Sequence, residues 1–156
     1  MQNLISLTKE IENLPQYEQL AFIKEQLPNL NDDIIYYFIY RHLGSEDVYN
    51  EFQNLDLRKC VVEEQLIPND KVFEIDYADF CDFKHEDLLW YNKMKVVAPW
   101  YFTTGTWAGP ILVTPRNGKL VVIDGNNRLR MLRCYLTHCK KPIRKYHSIY
   151  VLTQSD

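Results

Sequence analysis

A chain of 156 residues, 46% apolar and 25% charged, fits one globular domain, with or without an appended helical section. Five Gly and seven Pro exclude a collagen-like or low-complexity protein, and the longest apolar run, Ile34 to Tyr40, falls far short of the ~20 residues that span a bilayer. The net charge of −3 hides a polarity: residues 1–90 hold seven Lys/Arg against nineteen Asp/Glu, a net −12, whereas residues 91–156 hold eleven against two, a net +9. Either the halves neutralise each other within one fold, or the basic half handles a phosphate-bearing ligand. The start, Met1 to Ser6, has neither the basic residues nor the apolar run of a signal peptide, so a cytoplasmic protein outside the membrane is expected.

The first 57 residues read as helices. Pro15 suits the first turn of a segment whose Tyr17, Leu20, Ile23 and Leu27 form a stripe ended by Pro28. Asp32 or Asp33 then caps Ile34 to Tyr40, a run apolar on nearly every side and so expected at the centre of a core, with Gly44 as its stop. Ser45 caps a third helix carrying Val48, Phe52 and Leu55. From residue 60 the pattern shifts. Val61-Val62 and Val72 to Tyr77 predict strands or extended connections, and Glu86 to Met94 a short helix.

The last third is the most legible. Pro110 to Thr114 and Lys119 to Ile123 read as strands, and the Asn117-Gly118 pair between them favours a tight hairpin turn. Asp124-Gly125-Asn126-Asn127 then leads into a helix from Arg128 to His138, with Leu129, Leu132 and Leu136 inward and Arg130 and Arg133 on other faces. His147 to Leu152 reads as a closing strand. Cys134, His138, Cys139 and His147 lack the spacing of a zinc centre, no C-x-x-C occurs, and the four cysteines are expected to be reduced with no zinc bound.

A strand running through Asp-Gly into a helix start has a physical use. The first helical turn leaves backbone N–H groups without intrahelical partners, and the helix dipole places partial positive charge there. Gly125 removes side-chain bulk, Asn126 and Asn127 offer amide donors, and Arg128 offers a planar fork suited to phosphate. Such turns also end strands for conformational reasons alone. Trp100, Tyr101, Phe102 and Trp107, with Thr103, Thr104 and Thr106, suit either a base-stacking segment or a packed loop. The cations Lys140, Lys141, Arg144 and Lys145 read as a solvated connector, and direct nucleic-acid binding is not expected.

The order Gly109-Pro-Ile-Leu-Val-Thr-Pro-Arg-Asn-Gly-Lys-Leu-Val-Val-Ile-Asp-Gly-Asn-Asn-Arg resembles the core of the ParB/sulfiredoxin superfamily, over residues 95–152. The resemblance implies a small mixed sheet with its motif helix; with the N-terminal helices read from the residues, the expected fold is α+β, a helical N-terminal section (1–60) packed on a small mixed sheet (61–156). The resemblance further implies that Gly125, Asn126, Asn127 and Arg128 hold nucleotide phosphates. It also implies that Asp124, as in the free-serine kinases of that superfamily, is catalytic with ATP and Mg²⁺. Asn126 stands where sulfiredoxins carry their reactive cysteine, which excludes sulfinic-acid reduction. No helix-turn-helix follows the motif helix, so chromosome partition is not expected. Kinase members carry histidines where Asn126 and Asn127 stand.

The expected function is therefore binding of a nucleotide or phosphate ester, with phosphotransfer by Asp124. The alternative comes from the acidic half. Glu74, Asp76, Asp79 and Asp82 outnumber the local cations, and such a face would suit an immunity protein that neutralises a basic toxin nuclease.

Overall fold

The computed structural model of the chain describes residues 2–43, 55–78, 98–99, 103–104 and 111–155. Its fold is α+β, with helices preceding a mixed four-stranded sheet. The chain divides into two compact units, residues 1–63 with 152–156, and residues 64–151.

The first unit is built on α1 (Leu4–Ile11), α2 (Gln16–Gln26) and α3 (Asp32–Ile34). Asn3 caps α1 by accepting the Ser6 amide at 2.9 Å, while the Ser6 hydroxyl accepts the Asn3 amide at 3.0 Å, and Leu4, Leu7 and Ile11 face inward. Pro15 sits at the N-cap of α2. Ile23 and Leu27 of the expected stripe are buried, but Tyr17 is 78% exposed. The cap of α3 is Asn31, whose Oδ1 accepts the Ile34 amide at 2.9 Å; Asp32 and Asp33 stand in the first turn instead, where their charge suits the helix dipole.

Beyond α3 the chain winds on as a π-helical turn, Ile35–Tyr40. Ile34, Ile35, Phe38 and Ile39 are buried and Tyr36 is exposed, so this run has an outer side that its composition hides. The wider winding brings i and i+4 residues inward and leaves the tyrosines together, with the Tyr36 and Tyr37 rings edge-to-face at 5.0 Å. Gly44 and the helix expected from Ser45 lie outside the described residues, as does the one expected from Glu86 to Met94. The N-terminus is tied to a later segment: Leu57 donates to the Gln2 carbonyl at 2.7 Å, and the Gln2 amide donates to Asp56 at 3.2 Å.

The second unit contains most of the sheet. The strands are β1 (Cys60–Pro68), β2 (Ile111–Arg116), β3 (Lys119–Asp124) and β4 (Tyr146–Gln154), in spatial order β1-β4-β2-β3. β2 pairs antiparallel with β3 and parallel with β4. The hairpin closes through Asn117 (φ 53°) and Gly118 (φ 78°), the two positive dihedrals that the Asn-Gly pair supplies at low cost. Between β3 and β4 runs α5 (Asn126–His138). Its Leu129, Met131 and Leu132 pack with Val113, Val122 and Ile149 in one apolar core.

Val72 to Tyr77, expected as a strand or an extended connection, forms no strand. Residues 69–72 form a helical turn, α4 (Asn69–Val72), and of Val72 to Tyr77 only Asp76 bridges to the sheet, beside Val121. The reason lies in the spacing. Val72 and Ile75 are both buried and three residues apart, a helical interval, while Phe73 between them is 47% exposed. Among the described residues no helix is long and apolar enough to cross a membrane.

Candidate functional site

Strand β3 carries buried Val121, Val122 and Ile123 into the sheet and delivers Asp124 to its edge, in register with Leu112 of β2. Gly125 then turns the chain with φ 104° and ψ 23°, a left-handed conformation that favours glycine, and α5 begins at the next residue. The N-cap of this 13-residue helix is Gly125 itself, which has no side chain with which to cap it. Its first-turn N–H groups, those of Asn126 to Arg128, are therefore left to solvent, to ligand or to other parts of the fold.

The side chains of this turn divide by role. A Cβ on Gly125 would stand 3.1 Å from the Ile111 Cα and 3.3 Å from its Cγ1, so the missing side chain makes room for β2. That space is therefore taken by β2 rather than left for an approaching anion. Asn126 accepts the Ala78 amide through Oδ1 at 3.0 Å, which fastens the chain after Asp76 to the start of α5. Its carbonyl oxygen is thus committed to the fold. Asn127 is exposed, Arg128 is half-buried, and Asp124 is half-buried with its Oδ2 out of solvent. The structure thus brings all five expected residues, Asp124 to Arg128, to one turn.

The acidic candidates are less gathered. Glu74 is exposed and pairs with Lys71 at 3.2 Å. Asp76 is exposed too, and its backbone is held by β3: its amide donates to Leu120 at 2.8 Å, and its carbonyl accepts from Val122 at 3.0 Å. Asp79 and Asp82 lie outside the described residues, as do Trp100, Tyr101, Phe102, Thr106 and Trp107. Thr103 and Thr104 are exposed.

Three features were not foreseen. Arg133 of α5 reaches the carbonyls of residues 72–75: it donates to Val72 at 3.4 Å, to Phe73 at 3.0 Å, and to Ile75, and it lies 4.7 Å over the Tyr77 ring. Burial pushes the Tyr77 phenol up, while Arg133 opposes that shift. A guanidinium on the outer side of a helix gives no hint in sequence that its partners are carbonyls about 60 residues earlier. The second feature is His147, fully buried, whose Nε2 meets Asn69 Oδ1 at 2.6 Å. Burial first, and the charge of Arg144 second, bring its pKa down to about 4. Because the amide oxygen can only accept, Nε2 carries the proton of a neutral ring. The third is a pocket of about 580 Å³ at the hairpin end of β3.

Among the described residues no three His, Cys, Asp or Glu side chains gather as metal ligands; Cys60, Cys134 and Cys139 are free thiols. The chain matches no protein-family model, no curated protein and no solved structure.

Proposed function

We propose that the chain binds a phosphate-bearing ligand, a nucleotide or phosphate ester, at the turn from Asp124 to Arg128. The observation that carries this reading is the passage from β3 through left-handed Gly125 into a helix whose N-cap residue has no side chain to cap it, with Arg128 in its first turn. First-turn backbone N–H groups and the dipole of a 13-residue helix favour an anion at this end, and Arg128 adds a cation to the same turn. The likeness to the ParB/sulfiredoxin core supports the same assignment. In that reading Asp124 takes the acceptor proton in phosphotransfer or faces Mg²⁺ carried by the nucleotide, and the setting is cytoplasmic.

A thermal-shift panel of nucleotides and inorganic phosphates, each with and without Mg²⁺, tests the proposal. A ligand that binds only the native state raises the melting temperature with concentration. No shift with any nucleotide, phosphate or pyrophosphate overturns it.

A second reading, a non-catalytic inhibitor of a basic toxin nuclease, is favoured by one specific observation. The Arg133 guanidinium bonds the carbonyls of this segment rather than its carboxylates, and Glu74 and Asp76 remain exposed. An exposed acidic segment held rigidly against a sheet edge would steer a basic partner.

A further inference from the structure

At the end of β3 away from Asp124, about 17 Å along the strand, the hairpin turn opens onto the pocket of about 580 Å³. This volume lies in the range of small-molecule sites. Its apolar lining is Ile67, Ile75, Leu120 and Phe73, a residue 47% exposed although it borders a cavity that could cover it. Beside Gly118 the space is open, with no atom within 4 Å of where a Cβ would stand.

The charges of the wall are selective. Lys71 and Glu74 neutralise each other at 3.2 Å. Asp76 and Lys119 also line the pocket, and among the described residues neither takes an ion pair. Asp76 is fixed in place through its backbone, which bonds to Leu120 and Val122 one and three residues beyond Lys119. The pocket therefore offers one carboxylate, one ammonium and an aromatic-aliphatic surface.

We infer that this pocket binds a small zwitterion with an apolar side chain, of the class of a free aromatic or aliphatic α-amino acid. The ligand ammonium meets Asp76, its carboxylate meets Lys119, and its side chain covers Phe73, Ile67 and Leu120. A simple anion or cation would satisfy one of the two charges and leave the other unmatched. This site is separate from the phosphate turn, and either can fail without the other.

Calorimetric titration of the wild-type chain with phenylalanine, N-acetyl-phenylalanine and phenylalanine amide tests it. The acetyl cap removes the ammonium, and the amide removes the carboxylate. The free amino acid should bind about tenfold more tightly than either derivative, as the loss of one charged hydrogen bond implies. Asp76→Asn should abolish the preference over the acetyl form alone, and Lys119→Gln the preference over the amide alone. Both side chains are exposed, so the variants should melt with the wild type. Equal binding of all three compounds, preferences that survive both substitutions, or no saturable binding of any, overturns the assignment.

Discussion

The Cα of Ile111 stands 3.1 Å from the point where a Cβ on Gly125 would lie. Two constraints therefore meet at one residue, a φ of 104° and a backbone neighbour that cannot retreat without disturbing β2. Gly125→Ala should destabilise the fold by about 2–4 kcal/mol, from the left-handed conformation and the overpacking together. Chemical denaturation measures this. A loss near zero would mean that β2 and the turn can separate freely.

Arg133 makes its contribution to stability rather than to ligand binding. Arg133→Met keeps much of the stem but loses the bonds to the carbonyls of Val72, Phe73 and Ile75 and the contact with Tyr77. Three carbonyls would lose a charged donor, so a cost of about 2–4 kcal/mol is expected. Arg133→Lys should recover only part of it, because an ammonium cannot span the same fork. Proteolysis near residues 72–77 should accelerate in step with the loss.

The neutral, buried His147 predicts an acid-sensitive fold. Its folded pKa of about 4 lies below the ordinary value of 6.5, so the unfolded chain takes up the proton first as pH falls. The stability it contributes is present above pH 6.5 and is lost progressively as the pH drops towards 4. His147→Gln should flatten the dependence in this window while retaining a donor for Asn69. Urea denaturation between pH 7 and pH 4 for both proteins is the measurement, and parallel curves would assign the acid sensitivity to carboxylates elsewhere.

The hairpin and the helix after it were legible because each rests on local chemistry. Asn117-Gly118 demands positive dihedrals, and Leu129 and Leu132 share a face whatever else the chain does. The turn Asp124 to Arg128 was legible for the same reason. Residues 69–77 were not. The helical interval of Val72 and Ile75 is set among alternating acidic residues that suggest a strand, and the groups that hold this turn, His147 on Asn69 and Arg133 on the Val72 carbonyl, come about 60 and more residues later. Periodicity carries no trace of such partners. Nor does it distinguish π from α winding at Ile35–Tyr40.

For the phosphate turn, Arg128→Ala should weaken nucleotide binding by about 1.5–3 kcal/mol, the range for a charged hydrogen bond. Asp124→Asn separates binding from chemistry. If the chain transfers phosphoryl groups, this variant should retain nucleotide binding and lose Mg²⁺-dependent turnover. Asn126→Ala should act differently from both. Its Oδ1 holds Ala78, so its loss should lower the melting temperature before it alters affinity. Affinity falling with the fold intact would show instead that Asn126 faces the ligand.

The inhibitor reading makes a prediction about charge reversal that the structure has sharpened. If the acidic segment served to neutralise the basic half internally, Asp76→Lys would lower thermal stability. The Asp76 side chain is instead exposed, while Arg133 binds carbonyls and Glu74 has its own lysine three residues earlier. Asp76→Lys should therefore leave the melting temperature nearly unchanged, since the backbone bonds to Leu120 and Val122 do not depend on the side chain. Glu74→Lys should cost no more than about 1 kcal/mol, the value of an exposed pair. Against a basic nuclease partner, both reversals should slow association, and the slowing should shrink as salt screens the field. Stopped-flow association at low and moderate ionic strength separates these effects from changes in dissociation. A drop in melting temperature on Asp76→Lys, with no basic protein recovered at low salt, would return this segment to a purely structural role.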